Sequence, residues 1–396
     1  MQFTNDGLVM TVIRRCGPVS RVEIAKLTGL TPPTVTNITN KLLDLGLIME
    51  YMIGESSGGR RPLLLKINPK IGWIIIVHVR SRKVLGYLVD PEFQIHYHHT
   101  EETAGMEPEQ VLELTLGMIA KCQQAAAQPV SALGVVVCGP VRSQEGILVF
   151  SPNIGWRNVP LKYMVEEKFR LPTFVENDCR ALANGEYHYG SLKDSDSMIL
   201  LKVSHGIGSG IMLNGRLYRG INDSAGEIGH TTIDVNGPRC SCGNYGCLES
   251  LASENALVKM VIKALKEGQP SRIHQLVEGD LSRITPDEIY QAAYLGDDVA
   301  ARMLGRVARY LGIGIANLVN TFNPQLVVIS GGIAKARPYI EDIVWETVRD
   351  RSFESSSSVL EIQFSIAENE NTMKGAADIV FTEITEPLWL GNLSQR

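Results

Sequence analysis

The sequence predicts two parts: a small helical domain with a β wing, of winged helix-turn-helix type, and a larger α/β body. Three observations carry this. Residues 1–70 hold three short amphipathic helical patterns, interrupted at Gly17-Pro18 and at Gly29, and then two strand-like runs. From residue 73 onward, continuous apolar strands alternate with helical patterns, the sign of α/β layers. Residues 225–250, AGEIGHTTIDVNGPRCSCGNYGCLES, set His230 ahead of Cys240, Cys242 and Cys247 with glycines between them. Three thiols and an imidazole suit zinc's tetrahedral preference, and four protein donors close its sphere. A structural Zn2+ at these four residues is therefore expected. Three incidental buried thiols are the plain alternative.

The chain has 396 residues, enough for two or three domains with real cores. Its 44% hydrophobic and 20% charged residues are the balance of an ordinary globular protein. No apolar run reaches membrane-spanning length and no signal-peptide pattern opens the chain, so a cytoplasmic protein without membrane insertion is expected. Cys16, Cys122, Cys138 and Cys179 are scattered, as reduced thiols would be. The net charge of −5 is uneven: residues 1–70 carry nine Lys/Arg against five Asp/Glu, the rest 29 against 38. A basic end on an acidic body points to a polyanionic partner for that end alone.

In the first part, Leu8, Val9, Val12 and Ile13 recur at helical spacing and stop at Gly17-Pro18. Ser20 then caps a helix over Arg21–Thr28, with Glu23 placed as in a capping box. After Gly29, Thr31 opens a third helix whose first turn tolerates Pro32 and Pro33. Helix, short glycine turn, helix is the helix-turn-helix arrangement. With Val35, Ile38 and Leu42 inward, the helix presents Thr31, Thr34, Thr36, Asn37, Asn40 and Lys41. Short hydrogen-bonding side chains with one cation suit the base edges of a major groove. Residues 47–53 and Leu63–Ile67 read as strands. GESSGGRRP between them reads as a wing tip whose Arg60 and Arg61 grip phosphates or enter a minor groove. A plain three-helix bundle with a solvated loop is the alternative.

SRVEIAKLTGLTPPTVTNITNKLLDLGLI followed by GGRRPLLLKIN resembles the winged helix-turn-helix of the repressor branch of the ROK family (repressors, open reading frames and sugar kinases), the NagC/XylR-like regulators. The resemblance implies an actin/hexokinase-like (ribonuclease H-like) body of two α/β lobes around a cleft. It divides the chain into a DNA-binding domain over 1–70, a first lobe over 71–190, and a second lobe with the zinc site over 191–372. A C-terminal helix within 373–396 returns to the first lobe.

Trp73–Val79 and residues 84–89 are apolar strands, and residues 108–127 are a helix opened by Pro108. Residues 132–137 are a strand that ends in the tight turn Cys138-Gly139-Pro140. In the family's kinases the first strand runs into an Asp-x-Gly-Gly-Thr loop that holds ATP phosphates. Here His78-Val79-Arg80-Ser81-Arg82 stands in its place, without the acid or the glycines, so no enzyme activity is expected. SPNIGW (151–156) and VENDCRALANGE (175–186) resemble two sugar-site segments, which implies sugar contacts from Gly139, Asn153, Asn177 and Asp178. Asn177 and Asp178 follow an apolar strand, where α/β sheets present ligand groups. Capping of the next helix is the alternative role for Asp178.

Residues 198–203 are a strand, and HGIGSGIMLNG after it reads as a turn through Gly206, Gly208 and Gly210. In the kinases this turn is the second phosphate segment; here it reads as inherited turn geometry. Glu-x-Gly-His at 227–230 and Cys-x-Cys-Gly-x-x-Gly-Cys-x-Glu at 240–249 match the family's most specific pattern. That match implies sugar contacts from Glu227, His230 and Glu249, with His230 using the ring nitrogen that zinc leaves. Residues 253–317 are mostly helical with core-type spacing, and Leu326–Ser330 is a strand. Gly331-Gly332 opens the next helix, residues 355–358 are a loop, and residues 375–384 form the final helix.

The expected function is a DNA-binding transcriptional repressor of sugar uptake or metabolism genes, its effector a sugar or sugar phosphate bound between the lobes. A two-fold homodimer, or a homotetramer, would set its recognition helices on a palindromic operator. Thr34, Thr36, Asn37 and Asn40 supply specificity; Arg21, Lys41, Arg60 and Arg61 supply phosphate contacts; Ser20 and Thr31 complete the DNA set. Two rivals stand beside this. One is an active sugar kinase with a fused DNA-binding domain. The other is a repressor released by a partner protein, such as a sugar-transporter component, without sugar binding.

Overall fold

The computed structural model of the chain describes residues 5–53, 62–190 and 195–390. Arg60 and Arg61 lie outside the described residues. The chain divides into two compact units, Met1–Ala181 with Met373–Arg396, and Leu182–Thr372. The winged domain and the first α/β lobe thus fall in one unit.

At the start of the first unit, α1 (Asn5–Cys16), β1 (Val19–Ser20), α2 (Arg21–Thr28), α3 (Pro32–Asp44), β2 (Ile48–Ile53) and β3 (Leu63–Ile67) form the winged helix-turn-helix, with strand order β1-β3-β2. The capping box is formed: the Ser20 hydroxyl accepts from the Glu23 N–H at 3.2 Å, and Glu23 Oε2 accepts from the Ser20 N–H at 2.9 Å. Each bond satisfies a donor that the helix itself leaves open. Val9, Ile13, Ile24, Val35, Leu42 and Leu65 are buried and form the domain's core.

The same unit continues with β4 (Trp73–Val79), β5 (Lys83–Val89), β6 (Ile95–Glu102), α4 (Pro108–Gln124), β7 (Val130–Val137), β8 (Val141–Arg142), β9 (Ile147–Ser151), β10 (Trp156–Val159), α5 (Leu161–Phe169) and β11 (Thr173–Asn177), and α6 (Asp178–Tyr189) begins in it and runs on into the second unit. The main sheet has the order β11-β7-β4-β5-β6. Strands β4, β7 and β11 run parallel, while β4, β5 and β6 form an antiparallel meander. The apolar runs of β4 and β7 are buried because helices and strands cover them, as parallel strands require. Strand β6 went unread in the sequence. It is an edge strand of sequence IHYHHTEE, with no apolar alternation to mark it.

The second unit holds β12 (Ser197–Val203), β13 (Ile207–Leu213), β14 (Arg216–Leu217), α7 (Leu248–Ala252), α8 (Glu254–Lys266), α9 (Ile273–Leu276), α10 (Pro286–Tyr294), α11 (Asp298–Phe322), β15 (Leu326–Ser330), α12 (Arg337–Arg351), α13 (Glu354–Ser357) and β16 (Glu361–Phe364). Its sheet order, β14-β13-β12-β15-β16, repeats the topology of the first: an antiparallel meander joined to two parallel strands. Two expectations are corrected here. Gly208 and Gly210 belong to β13, paired with Lys202 and Leu200, and the turn is confined to residues 204–206. Glycines carry no side chain, so they hide a strand's alternation. Residues 355–358 are not an open loop, because most of them form α13, closed by the Ser358 N–H donating to the Glu354 carbonyl at 2.9 Å.

The final helix, α14 (Glu368–Leu390), is longer than expected and belongs to both units. In the second unit its first turn is tied by Lys202 Nζ to Glu368 Oε1 at 2.9 Å. In the first unit its Asp378 pairs with Arg14 of α1, both side chains only 5% exposed. Thr382 Oγ1 accepts a further bond from Arg14 at 3.3 Å, and the guanidinium lies 5.1 Å from the centre of the Phe381 ring. Among the described residues no helix is long and apolar enough to cross a membrane.

Glu254 opens α8 and is buried, accepting a bond from Tyr290 Oη at 2.8 Å. Burial, with Asp287 and Glu368 nearby, holds its carboxyl above the usual range despite that bond. A raised carboxyl contributes stability that is complete below its unfolded value and is lost as pH rises through the folded value. Glu254→Gln keeps an acceptor for Tyr290 and removes the charge. Its melting temperature should exceed the parent's at pH 7 by roughly 2–4 °C, with the gap closing toward pH 4, as read by calorimetry across pH.

Candidate functional site

Three groups of candidate residues are placed by the fold. The first is the outward face of α3. Thr36, Asn37, Asn40 and Lys41 are exposed there and Thr34 is half-buried, because Val35, Ile38, Thr39 and Leu42 take the core side. Thr31 caps α3, and its hydroxyl lies 2.8 Å from that of Thr34. Arg21 reaches across from α2, donating to Thr39 Oγ1 at 2.9 Å and to Asn40 Oδ1 at 3.2 Å. Lys41 Nζ meets Asp6 of α1 at 2.6 Å. Ser20 is 4% exposed and its hydroxyl serves the capping box.

The second group lies where β7 and β11 end side by side, Asn177 paired with Val137. Gly139 adopts φ +111, and a Cβ there would stand 2.1 Å from the Phe150 carbonyl, so only glycine fits. Its carbonyl accepts from Asn177 Nδ2 at 2.9 Å. Asn177 Oδ1 accepts from the N–H groups of Cys179 and Arg180 at 2.9 and 3.1 Å, so the first turn of α6 is capped by Asn177. Asp178, also buried, accepts from the Cys179 N–H at 2.9 Å and from the Cys138 thiol at 3.1 Å. Beneath them lies an ion pair missed in the sequence. Arg180 Nε donates to Glu176 Oε1 at 2.6 Å, and the same oxygen accepts from the Asn177 N–H at 2.7 Å. The i, i+4 spacing of Glu176 and Arg180 was its one legible sign. Asn153 lies elsewhere in the first unit, exposed in the turn before β10, where it lines a cleft with Ser81, Arg82 and Ile154.

The third group is the loop from 227 to 249 in the second unit. His230, Cys240, Cys242 and Cys247 bring one donor atom each within 4.8 Å of all the others. His230 Nδ1 lies 3.7 Å from Cys240 Sγ, and Cys242 Sγ lies 3.7 Å from Cys247 Sγ. A tetrahedral ion with metal–sulfur bonds of about 2.3 Å has edges of roughly 3.8 Å, so the set fits one. Backbone makes this spacing. Gly246 sits at φ +64 with no room for a Cβ, which would stand 1.6 Å from the Asp234 carbonyl, and this turn delivers Cys247 to the start of α7. The backbone N–H of Asn244 draws the Cys242 thiol below its usual value, while burial pushes Cys247 up to about 12. A bound cation must therefore displace the Cys247 proton, and the imidazole edge carrying Nε2 is left for other partners. Glu249, two residues on, accepts from the Ile207 N–H at 3.0 Å and the Ser241 hydroxyl at 3.3 Å. Glu227 is exposed just ahead of the short 3-10 turn that carries His230.

A winged helix-turn-helix with two like-folded α/β units and a Cys3His loop defines a DNA-binding regulator on an actin/hexokinase-like (ribonuclease H-like) body. The ROK family model matches residues 76–383 and a winged helix-turn-helix DNA-binding model matches residues 4–49; the chain belongs to the ROK family. The xylose repressor of Caldicellulosiruptor bescii is 34% identical over 96% of this chain and 96% of its own length. The DNA-binding transcriptional dual regulator NagC of Escherichia coli K12 is 34% identical over 84% of this chain and 81% of its own. Among solved structures, a ROK family transcriptional regulator, a homologue of the E. coli MLC protein, aligns with TM-score 0.82 at 30% identity, over 98% of this chain and 97% of that one. A ROK family glucokinase from Streptomyces griseus, in complex with glucose and AMPPNP, aligns with TM-score 0.69 at 29% identity, over 78% of this chain and 99% of that one. The family thus includes both regulators and kinases.

The donor set gives a direct expectation. Parent protein should carry one transition-metal ion per chain by elemental analysis. Cys247→Ser should lose it and melt lower, on the order of 5 °C, in calorimetry.

Proposed function

We propose that this chain is a cytoplasmic DNA-binding transcriptional repressor whose hold on its operator is released by a sugar. The observation that carries this reading is the attachment of a winged domain with an exposed hydrogen-bonding helix face to a ROK body through the buried Arg14–Asp378 pair. The names of the relatives, a xylose repressor and NagC, support it.

On DNA, α3 enters a major groove. Thr34, Thr36, Asn37 and Asn40 read base edges, Thr31 fixes the start of the helix, and Arg21, Lys41, Arg60 and Arg61 meet phosphates. A two-fold homodimer, alone or paired into a homotetramer, sets two such helices on a palindrome. For the sugar, the proposed contacts are Gly139, Asn153, Asn177, Asp178, Glu227, His230 and Glu249. Asp178 accepts from a hydroxyl, and Asn177 donates with the amide hydrogen that Gly139 does not use. Zn2+ is the proposed occupant of the Cys3His group. His230 would hold it through Nδ1, leaving Nε2 for a sugar hydroxyl, and its role would be structural. No phosphoryl transfer is proposed, since residues 78–82 hold neither an acid nor a glycine.

The test uses an operator selected from random DNA and fluorescence anisotropy across a sugar panel. One sugar should weaken operator binding. Asn37→Ala should cost about 1–3 kcal/mol of discrimination at one base pair, while Lys41→Ala should weaken all sequences alike and flatten the salt dependence. A coupled assay with ATP and the same sugars should show no turnover; steady ADP production with any of them would overturn the repressor-only reading.

A further inference from the structure

Arg21 opens α2, and Asn40 stands on the exposed face of α3. The two are joined: Arg21 Nη2 donates to Asn40 Oδ1 at 3.2 Å. This is not a chance meeting of two surface side chains. Arg21 is half-buried, and its Nε donates at 2.9 Å to Oγ1 of Thr39, a residue with no exposed surface. The Thr39 hydroxyl donates in turn to the Thr36 carbonyl at 3.1 Å, which leaves its lone pairs for the guanidinium. Held from beneath at Nε, the planar guanidinium sets Nη2 at the Asn40 amide. A guanidinium has donors only, so the amide atom that faces it is the oxygen. Asn40 thus commits its acceptor inside the protein and keeps Nδ2, a donor, for another partner. Asn37 lies one turn earlier on the same exposed face. It has no such clamp among the described residues, and its amide keeps both polarities.

The difference matters in a major groove. Adenine offers an acceptor, N7, beside a donor, N6–H, and an amide meets it with one atom for each. Guanine offers two acceptors, O6 and N7; thymine offers O4; cytosine offers a donor. To pair with adenine or cytosine, Asn40 must turn its oxygen from a cation and give up a charge-assisted bond. Guanine or thymine lets it keep that bond.

We infer, resting on the reading that α3 enters a major groove, that Arg21 is a specificity-determining residue: by holding Asn40 Oδ1 it makes Asn40 a donor-only reader, which selects guanine or thymine and rejects adenine. Arg21 acts here through Asn40 and is a positioning residue for it. The guanidinium hydrogens not used on Thr39 and Asn40 serve the phosphate contact proposed above, so one side chain fills both roles. Asn37, unclamped, remains able to read adenine.

The test is selection of operators from random duplexes by the full-length protein, repeated with Asn40→Ala, Asn37→Ala and Arg21→Met. Anisotropy titrations then use duplexes that differ only at the base pair whose preference Asn40→Ala abolishes. The parent should favour G or T over A there by about tenfold. Arg21→Met keeps an aliphatic stem and frees the Asn40 oxygen. It should weaken every duplex through the lost phosphate contact, yet bring A level with or ahead of G and T at that base pair. The base pair whose preference Asn37→Ala abolishes should keep that preference in Arg21→Met, which a general loosening of α3 would not allow. A parent that favours A or C at the Asn40 base pair overturns the donor-only reader, whether or not Arg21→Met folds. An unchanged preference for G or T in folded Arg21→Met overturns the role of Arg21. If the parent selects an operator and Asn40→Ala alters the preference at no base pair, Asn40 is not a reader and the repressor reading stands. Selection of no sequence by the parent overturns both.

Discussion

The Arg14–Asp378 pair is the constraint on which the regulator depends. Two charges are withdrawn from water between α1 and α14, with Thr382 and the Phe381 ring completing the surroundings of the guanidinium. Neither charge is tolerable there without the other, because a buried ion that loses its partner keeps the full cost of desolvation. A planar guanidinium suits the place, since it can pair with a carboxylate and stack on a ring at once. The consequence is geometric. Helix α1 packs on α2 and α3, so the DNA-facing row of α3 is held in register with α14.

Helix α14 matters because it belongs to both units. Its start is tied to Lys202 and its middle holds Arg14. Both ties are made by one continuous helix, Glu368–Leu390. In the second unit the Cys3His loop plays a related part at short range. It ends in Cys247, which opens α7, and Leu248 of α7 packs on the long helix α11. The Cys3His loop and the core of that unit are therefore one structure, and Glu249 is carried on the same short helix.

Much of this was legible in the sequence because it rests on local rules. The capping box at Ser20 and Glu23, the prolines of α3, the apolar runs of β4 and β7 and the spacing of His230 with the three cysteines each declare their structure within a few residues. The parts that were not legible depend on long-range pairing. Arg14 and Asp378 are 364 positions apart and each looks like an ordinary surface charge in its own helix. Strand β6 is polar and lies on an edge, and the glycines of β13 erase its alternation. Asn177 caps the first turn of α6, where the sequence offered Asp178 only as an alternative cap. Asn177 gives its carbonyl oxygen to that cap, and Asp178 accepts from the Cys179 N–H and from a thiol that nothing local announces.

The proposed route from effector to DNA through α14 is tested by one pair of substitutions. Replacing Arg14 with Met and Asp378 with Leu together removes the charges while keeping the space filled, which buried pairs generally tolerate. Operator affinity is then measured with and without the sugar that releases the parent most strongly. In the parent, that sugar should weaken operator binding roughly tenfold. The double variant should fold and bind the operator within a few-fold of the parent, yet show no change on adding the sugar. A folded double variant that keeps the full sugar response would contradict the account.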